Sequence, residues 1–115
     1  MTSELAQYCC RPVAATALSP EQSEALAAVF AALADPVRLR IYSMIASQGE
    51  VCSCALEGPT QRTQPTISHH TSKLAAAGLI EGEKRGRWIW WRPVAGQRDE
   101  VVRLLAVPPL APPPE

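Results

Sequence analysis

The sequence has little of what an enzyme, a membrane protein or a polycation needs. Histidine occurs only twice, side by side at His69 and His70, and no nucleophile–base set stands out. No glycine-rich phosphate loop is present. These absences argue against catalysis and against a separate histidine-rich zinc site. No apolar run reaches the roughly 20 residues that cross a bilayer, so no membrane partner is expected. No charged-then-apolar leader pattern opens the chain, which reads as soluble and cytoplasmic. At 115 residues there is room for one small domain, and 47% hydrophobic content is enough for its core.

Net charge is missing as well, with 11 basic side chains against 11 acidic ones. That excludes a histone-like polycation but hides an asymmetry. Residues 1–61 carry −3, residues 62–98 carry +5 and residues 99–115 carry −2. One basic segment in a neutral chain suggests a local polyanion site.

What the sequence does hold is four cysteines in two close pairs, Cys9-Cys10 and Cys52-Ser53-Cys54. Cytosolic thiols stay reduced, and close neighbours make poor disulfide partners because the bond geometry is demanding. Clustered reduced thiols point to a soft metal or metalloid, or to redox sensing. A thiol-rich metal buffer or carrier is a third possibility, but it needs no basic segment.

Residues 1–18 show no sustained periodicity and read as a flexible arm carrying the Cys9-Cys10 pair. Ser19-Pro20-Glu21-Gln22 has the form of a capping box with proline in the first turn. Leu26, Phe30 and Leu33 follow as one apolar stripe, for core or dimer interface. Asp35-Pro36 restarts a helix with Val37, Ile41, Met44 and Ile45 on one face, and Gly49 ends it. Glu50 to Leu56 reads as a short helix carrying Cys52 and Cys54. Their two-residue spacing would put the thiols about 200° apart on an ideal helix. Gly58-Pro59 interrupts or reshapes this stretch, and a helix over 64–77 follows with Ile67, Leu74 and Ala75 inward. Two helices joined by a short turn make a helix-turn-helix. Residues 80–93 change period into strand, tight turn and strand, with Pro93 closing the second strand. Asp99 to Leu105 suggests a last short helix, and residues 107–115 a proline-rich disordered tail.

This order is that of a mainly α winged helix-turn-helix spanning residues 19–106 with a β-hairpin wing, and the residues go further. Ala34-Asp35-Pro36-Val37-Arg38-Leu39-Arg40-Ile41 resembles the second-helix signature of the ArsR/SmtB family of bacterial metal-responsive repressors. Val51-Cys52-Ser53-Cys54-Ala55-Leu56 resembles that family's arsenic-responsive box. Gln64-Pro65-Thr66-Ile67-Ser68-His69-His70, followed by Lys73-Leu74, is similar to its recognition helix, and Gly86-Arg87-Trp88-Ile89-Trp90-Trp91-Arg92 to its wing. Departures are Thr71, where the family usually has Leu, the Gly58-Pro59-Thr60 stretch, and Glu57, where a three-cysteine box has its third thiol.

The resemblance implies a homodimeric, cytoplasmic bacterial repressor that leaves double-stranded operator DNA when thiolates capture As(III) or Sb(III). The implied metalloid ligands are drawn from Cys9, Cys10, Cys52 and Cys54. The arm pair with one box thiol, Cys52 by preference, would complete a three-thiolate set. A thiol-redox or sulfide-responsive repressor, or a sensor of cadmium, lead or zinc, is the alternative. Candidate DNA contacts are Gln64, Thr66, Ser68, His69, His70 and Lys73 in the helix, with Arg85 and Arg87 in the wing. Of the two histidines one is expected on DNA and the other in helix packing. Trp88, Trp90 and Trp91 are expected to pack the hairpin on the helices.

Overall fold

The computed structural model describes residues 17–96. The arm thiols Cys9 and Cys10, the expected last helix and the proline-rich tail lie outside these residues. Helix α1 (Pro20–Leu33) begins as the sequence suggests. The Ser19 hydroxyl accepts from the Gln22 amide at 3.1 Å, and the Gln22 side chain accepts from the Ser19 amide at 2.9 Å. Helix α2 (Pro36–Gln48) is capped by the Asp35 carboxylate, which accepts from the amides of Val37 and Arg38. Gly49, at φ 84°, ends α2 in a conformation that costs a side-chain residue more.

The stretch after Gly49 differs from expectation. Of residues 50–56 only Ser53–Leu56 is helical, and it is a single 3-10 turn that carries Cys54 but not Cys52. Val51–Cys52 is a two-residue strand, β1. The reason lies far along the chain. Val51 pairs with Trp91 and Cys52 with Trp90, so the backbone is drawn out by a partner strand 39 residues or so downstream. Gly58 and Pro59 then sit within a one-turn helix, α3 (Glu57–Thr60). It ends at Gln61, which takes the left-handed conformation at φ 54°. Three residues later α4 (Gln64–Ala76) begins. The turn between α3 and α4 completes the helix-turn-helix.

Strands β2 (Ile80–Arg85) and β3 (Trp88–Pro93) form an antiparallel hairpin around Gly86, at φ 66°. The sheet order is β1-β3-β2. The core gathers Leu26, Val29 and Leu33 of α1 with Ile41 and Ile45 of α2, and Ile67 and Leu74 of α4. Val51, Leu56, Leu79 and Ile80 close it. The α1 stripe divides between the two roles left open for it. Phe30 is 40% exposed and stands outside this core, whereas Leu26 is fully inside and offers nothing to a partner. Among the described residues no helix is long and apolar enough to cross a membrane.

Thr71 is buried where an aliphatic residue would be simpler. Its hydroxyl donates to the Ile67 carbonyl at 3.0 Å and reaches that of Ser68 at 3.2 Å. The polar atom is thus satisfied within its own helix.

Gly82 is required by close approach rather than by backbone conformation. A Cβ there would stand 2.8 Å from Ile89 Cγ2 and 2.9 Å from the Trp91 ring. Trp91 lies directly across the ladder and packs on the core. Gly82→Ala should therefore cost about 1–3 kcal/mol by overpacking and lower the thermal midpoint by about 5 °C or more. An unchanged melting curve would show that Trp91 can move aside at no cost.

Candidate nucleic-acid interface and thiol pair

Helix α4 is amphipathic with a narrow inner face. Ile67, His70, Thr71 and Leu74 are buried at spacings of three, four and seven. The outer face therefore presents Ser68, His69, Ser72 and Lys73, all exposed. Thr66 is half-buried, with its hydroxyl 3.5 Å from that of Thr63. Ser72 was not among the residues anticipated from sequence, although the same helical spacing places it beside Ser68 and His69.

Two anticipated helix contacts face elsewhere. His70 is only 8% exposed, and its Nδ1 accepts from Arg38 Nε at 3.4 Å. Of the histidine pair it is the packing residue, and His69 is the outward one. Burial holds the His70 imidazole below its ordinary pKa, against the pull of Asp35. The Arg38 guanidinium also donates to the Ala32 carbonyl at 3.2 Å, so it ties α1, α2 and α4 together. Gln64 turns back from α4, and its Nε2 donates to the Ser53 carbonyl at 2.9 Å.

The wing's cations divide into two groups. Arg85 meets both carboxylate oxygens of Glu50 at 2.9 Å and also Glu83 at 2.9 Å. Arg92 is bound to Glu81 at 3.0 Å and lies 3.4 Å from Glu83. The Arg85 hydrogen bond holds the Glu83 carboxyl below its usual range. Arg85, although exposed, is thus paired with the protein's own carboxylates, so it is not the free cation that its anticipated DNA contact assumed. Exposed ion pairs of this kind contribute little stability, but they fix where charge is left over. Lys84 and Arg87, at the hairpin tip, carry no carboxylate partner among the described residues.

The tryptophans also divide. Trp91 packs on the core as expected. Trp90 and Trp88 lie on the opposite face, beneath the guanidinium groups of Arg85 and Arg87, each 5.1 Å from the ring centre. Stacking on Trp88 therefore orients Arg87 without neutralising it.

Cys52 and Cys54 are brought together. The extended backbone at Cys52 and the turn after it put both sulfurs on one side, and the structure joins them as a disulfide. This corrects two expectations, that such close cysteines make poor disulfide partners and that the thiols lie about 200° apart, the second of which assumed a regular helix. The Cys54 amide donates to Cys52 Sγ at 3.2 Å. Cys52 is buried and Cys54 exposed, so the pair is open to solvent on one side. Among the described residues no third His, Cys, Asp or Glu joins them.

Comparison with known proteins agrees with this geometry. Residues 35–82 match the model of the bacterial regulatory protein arsR family. An uncharacterized HTH-type transcriptional regulator of Methanocaldococcus jannaschii is 35% identical over 85 residues, covering 74% of this chain and 96% of that one. An arsenic resistance transcriptional regulator of Pseudomonas putida is 39% identical over 64 residues, covering 56% of this chain and 50% of its own length. Further relatives bear the names of an arsenical resistance operon repressor and of a cadmium resistance regulatory protein CadC homolog, both from Staphylococcus aureus. Among solved structures, the homodimeric winged helix-turn-helix DNA-binding domain of a possible ArsR-family regulator from Mycobacterium bovis aligns with a TM-score of 0.61 at 28% identity. That alignment covers 78% of this chain and 84% of that one.

The burial of His70 has a consequence for acid stability. A histidine whose native pKa lies below its unfolded value stabilises the fold while both states are neutral. Stability is then lost as pH falls below the ordinary imidazole value of about 6.5. The urea midpoint should fall as pH is lowered through this window, and His70→Gln should flatten that dependence. Equal pH dependence in both proteins would remove His70 as its source.

Proposed function

The chain belongs to the arsR family of bacterial regulatory proteins, which are DNA-binding transcriptional regulators and not enzymes, and within it we propose an As(III)- or Sb(III)-responsive repressor. Two copies would lay their α4 helices into successive major grooves, about 34 Å apart. Thr66, Ser68, His69 and Lys73 would meet bases and phosphates, with Lys84 and Arg87 on the backbone from the wing. The apolar surface left by Phe30 in α1 belongs to the subunit contact in this reading.

The observation that carries the proposal is the convergence of the Cys52 and Cys54 sulfurs beside the helix-turn-helix. In reduced form they offer two soft thiolates on one side of the chain, and a trivalent metalloid favours three. The residues present therefore fit part of such a site. In place of the set expected from sequence, the arm pair with one box thiol, this reading takes both box thiols and one of Cys9 or Cys10 as the third, and an oxygen donor such as Glu57 is a poor substitute. Captured arsenic or antimony would supply three sulfur bonds. This chain's part is to bring the arm to β1, next to both DNA-facing elements. By linkage, DNA must weaken metalloid binding by the factor by which metalloid weakens DNA binding.

One titration tests this. As(III) added to reduced protein should raise ultraviolet S–As absorption and release a fluorescent operator over the same concentration range. Absorption without release would disprove the regulatory coupling, and neither would disprove the metalloid site. A second reading is favoured by the disulfide itself: a thiol-redox repressor would release operator on oxidation and ignore As(III).

The wing assignment gives a separate expectation. Arg87→Ala should weaken operator binding across sequences and make its salt dependence shallower by about 2 for a dimer. Arg85→Ala should change the salt slope less, because Glu50 and Glu83 already offset that charge. Equal slopes for parent and Arg87→Ala would remove the wing from the interface.

A further inference from the structure

We propose that Gln64 is the positioning residue through which the state of the Cys52–Cys54 pair reaches the recognition helix. The inference rests on the thiol pair being the regulatory site, as argued above. It assigns Gln64 to transmission rather than to base contact.

The first argument is how the helices begin. α1 is held at its start by the Ser19 hydroxyl, and α2 by the Asp35 carboxylate. α4 has no such local cap, because the Thr63 hydroxyl accepts from no backbone amide of the first turn and meets only the Thr66 hydroxyl, at 3.5 Å. Its first residue, Gln64, instead anchors to the Ser53 carbonyl at 2.9 Å. The N-terminal end of a recognition helix is the end that meets base edges in a helix-turn-helix. In this chain the aim of that end is set by a non-local bond.

The second argument is where the anchor lies. Ser53 is the residue between the two cysteines, and it is buried. Its neighbour Cys54 donates its amide to Cys52 Sγ. A disulfide draws the two sulfurs together, whereas thiolates around a soft centre must straddle it. In this proposal the Ser53 peptide, which links the two sulfur-bearing residues, reorients between the two states. Since Gln64 holds that peptide's oxygen, a change at the thiols is passed to the first turn of α4. No other described residue of α4 is hydrogen-bonded by its side chain to the thiol segment.

The test compares operator affinity in three states of the full chain: reduced, As(III)-loaded, and with Cys52 and Cys54 joined by diamide. In the last, each thiol gives one electron and one proton to the azo bond, which becomes a hydrazine, and peptide mass mapping locates the new disulfide. The variants are Gln64→Ala and Gln64→Glu. The second keeps length but cannot donate to the Ser53 carbonyl. The parent should differ at least about tenfold between reduced and As(III)-loaded states, within the usual range of allosteric coupling. In both variants that ratio should fall to within about twofold of one, while As(III) absorption titrates as in the parent. Gln64→Glu should also bind DNA more weakly in every state, by charge repulsion. The Gln64 side-chain amide resonances should shift on loading in the parent, reporting the bond directly. If Gln64→Ala weakens operator binding but keeps the parent's ratio, Gln64 is a base contact and the proposal is overturned. If As(III) leaves the parent unmoved while diamide shifts its affinity, the metalloid reading falls, and the diamide ratio decides on Gln64 by the same criterion. If neither reagent moves the parent, both readings fall.

Discussion

The pairing of Val51 and Cys52 with Trp91 and Trp90 is the constraint on which the rest of the molecule hangs. A two-stranded hairpin such as β2–β3 is marginal in water, and a third strand with an apolar face is what gives it independent order. β1 supplies that strand with only two residues. It also ties the wing to the helices, because Val51 sits in the core and Glu50 just before it holds Arg85 of β2. On the other side, Ser53 just after it is held by the first residue of α4. Four consecutive positions, Glu50 to Ser53, therefore fix the wing, a buried thiol and the recognition helix in one frame.

Charge is distributed by the same frame. Glu81 and Glu83 on β2, with Glu50 before β1, bind two arginines of the basic segment, Arg85 and Arg92. The consequence is not a weaker wing but a more localised one. Arg85 and Arg92 act as struts across the sheet, while Lys84 and Arg87 keep their charge at the tip. Stacking on Trp88 limits the freedom of Arg87, so less side-chain entropy would remain to be lost in the phosphate contact proposed for it. Inside, Arg38 pairs with a neutral imidazole and helix carbonyls, which gives its donors partners without burying a second charge.

The parts of this arrangement written in neighbouring residues are legible in the sequence. The Ser19 capping box, the Asp35-Pro36 start, the Gly49 stop and the Gly86 turn each depend on residues within three or four positions. The helix-turn-helix and wing follow from their order. What escapes is set by distant partners. Residues 50–56 carry no strand signal of their own, and Cys52 is extended because Trp90 is there to receive it. With the helix assumption wrong, the relation of the two thiols was wrong too. Arg85 reads as a free wing cation because Glu50 is 35 residues away. His70 could have been recognised, since it completes the Ile67, Thr71, Leu74 spacing. A threonine in that stripe obscures the apolar face that would have claimed it. For Phe30, a helical stripe marks the side of the helix but not where the core stops.

The thiol pair is placed where binding and transmission can be separated. Cys54 is exposed, so a soft ligand or an oxidant can reach it without opening the fold. Cys52 is buried and hydrogen-bonded into the sheet, so whatever happens at Cys54 acts on a residue that cannot drift freely. A pair wholly on the surface would bind without consequence, because a mobile loop absorbs the change. A pair wholly inside would need local unfolding before any ligand entered. With one sulfur on each side of that boundary, a ligand would in the proposed reading gain entry at Cys54, and β1 would direct the response toward α4 and the wing.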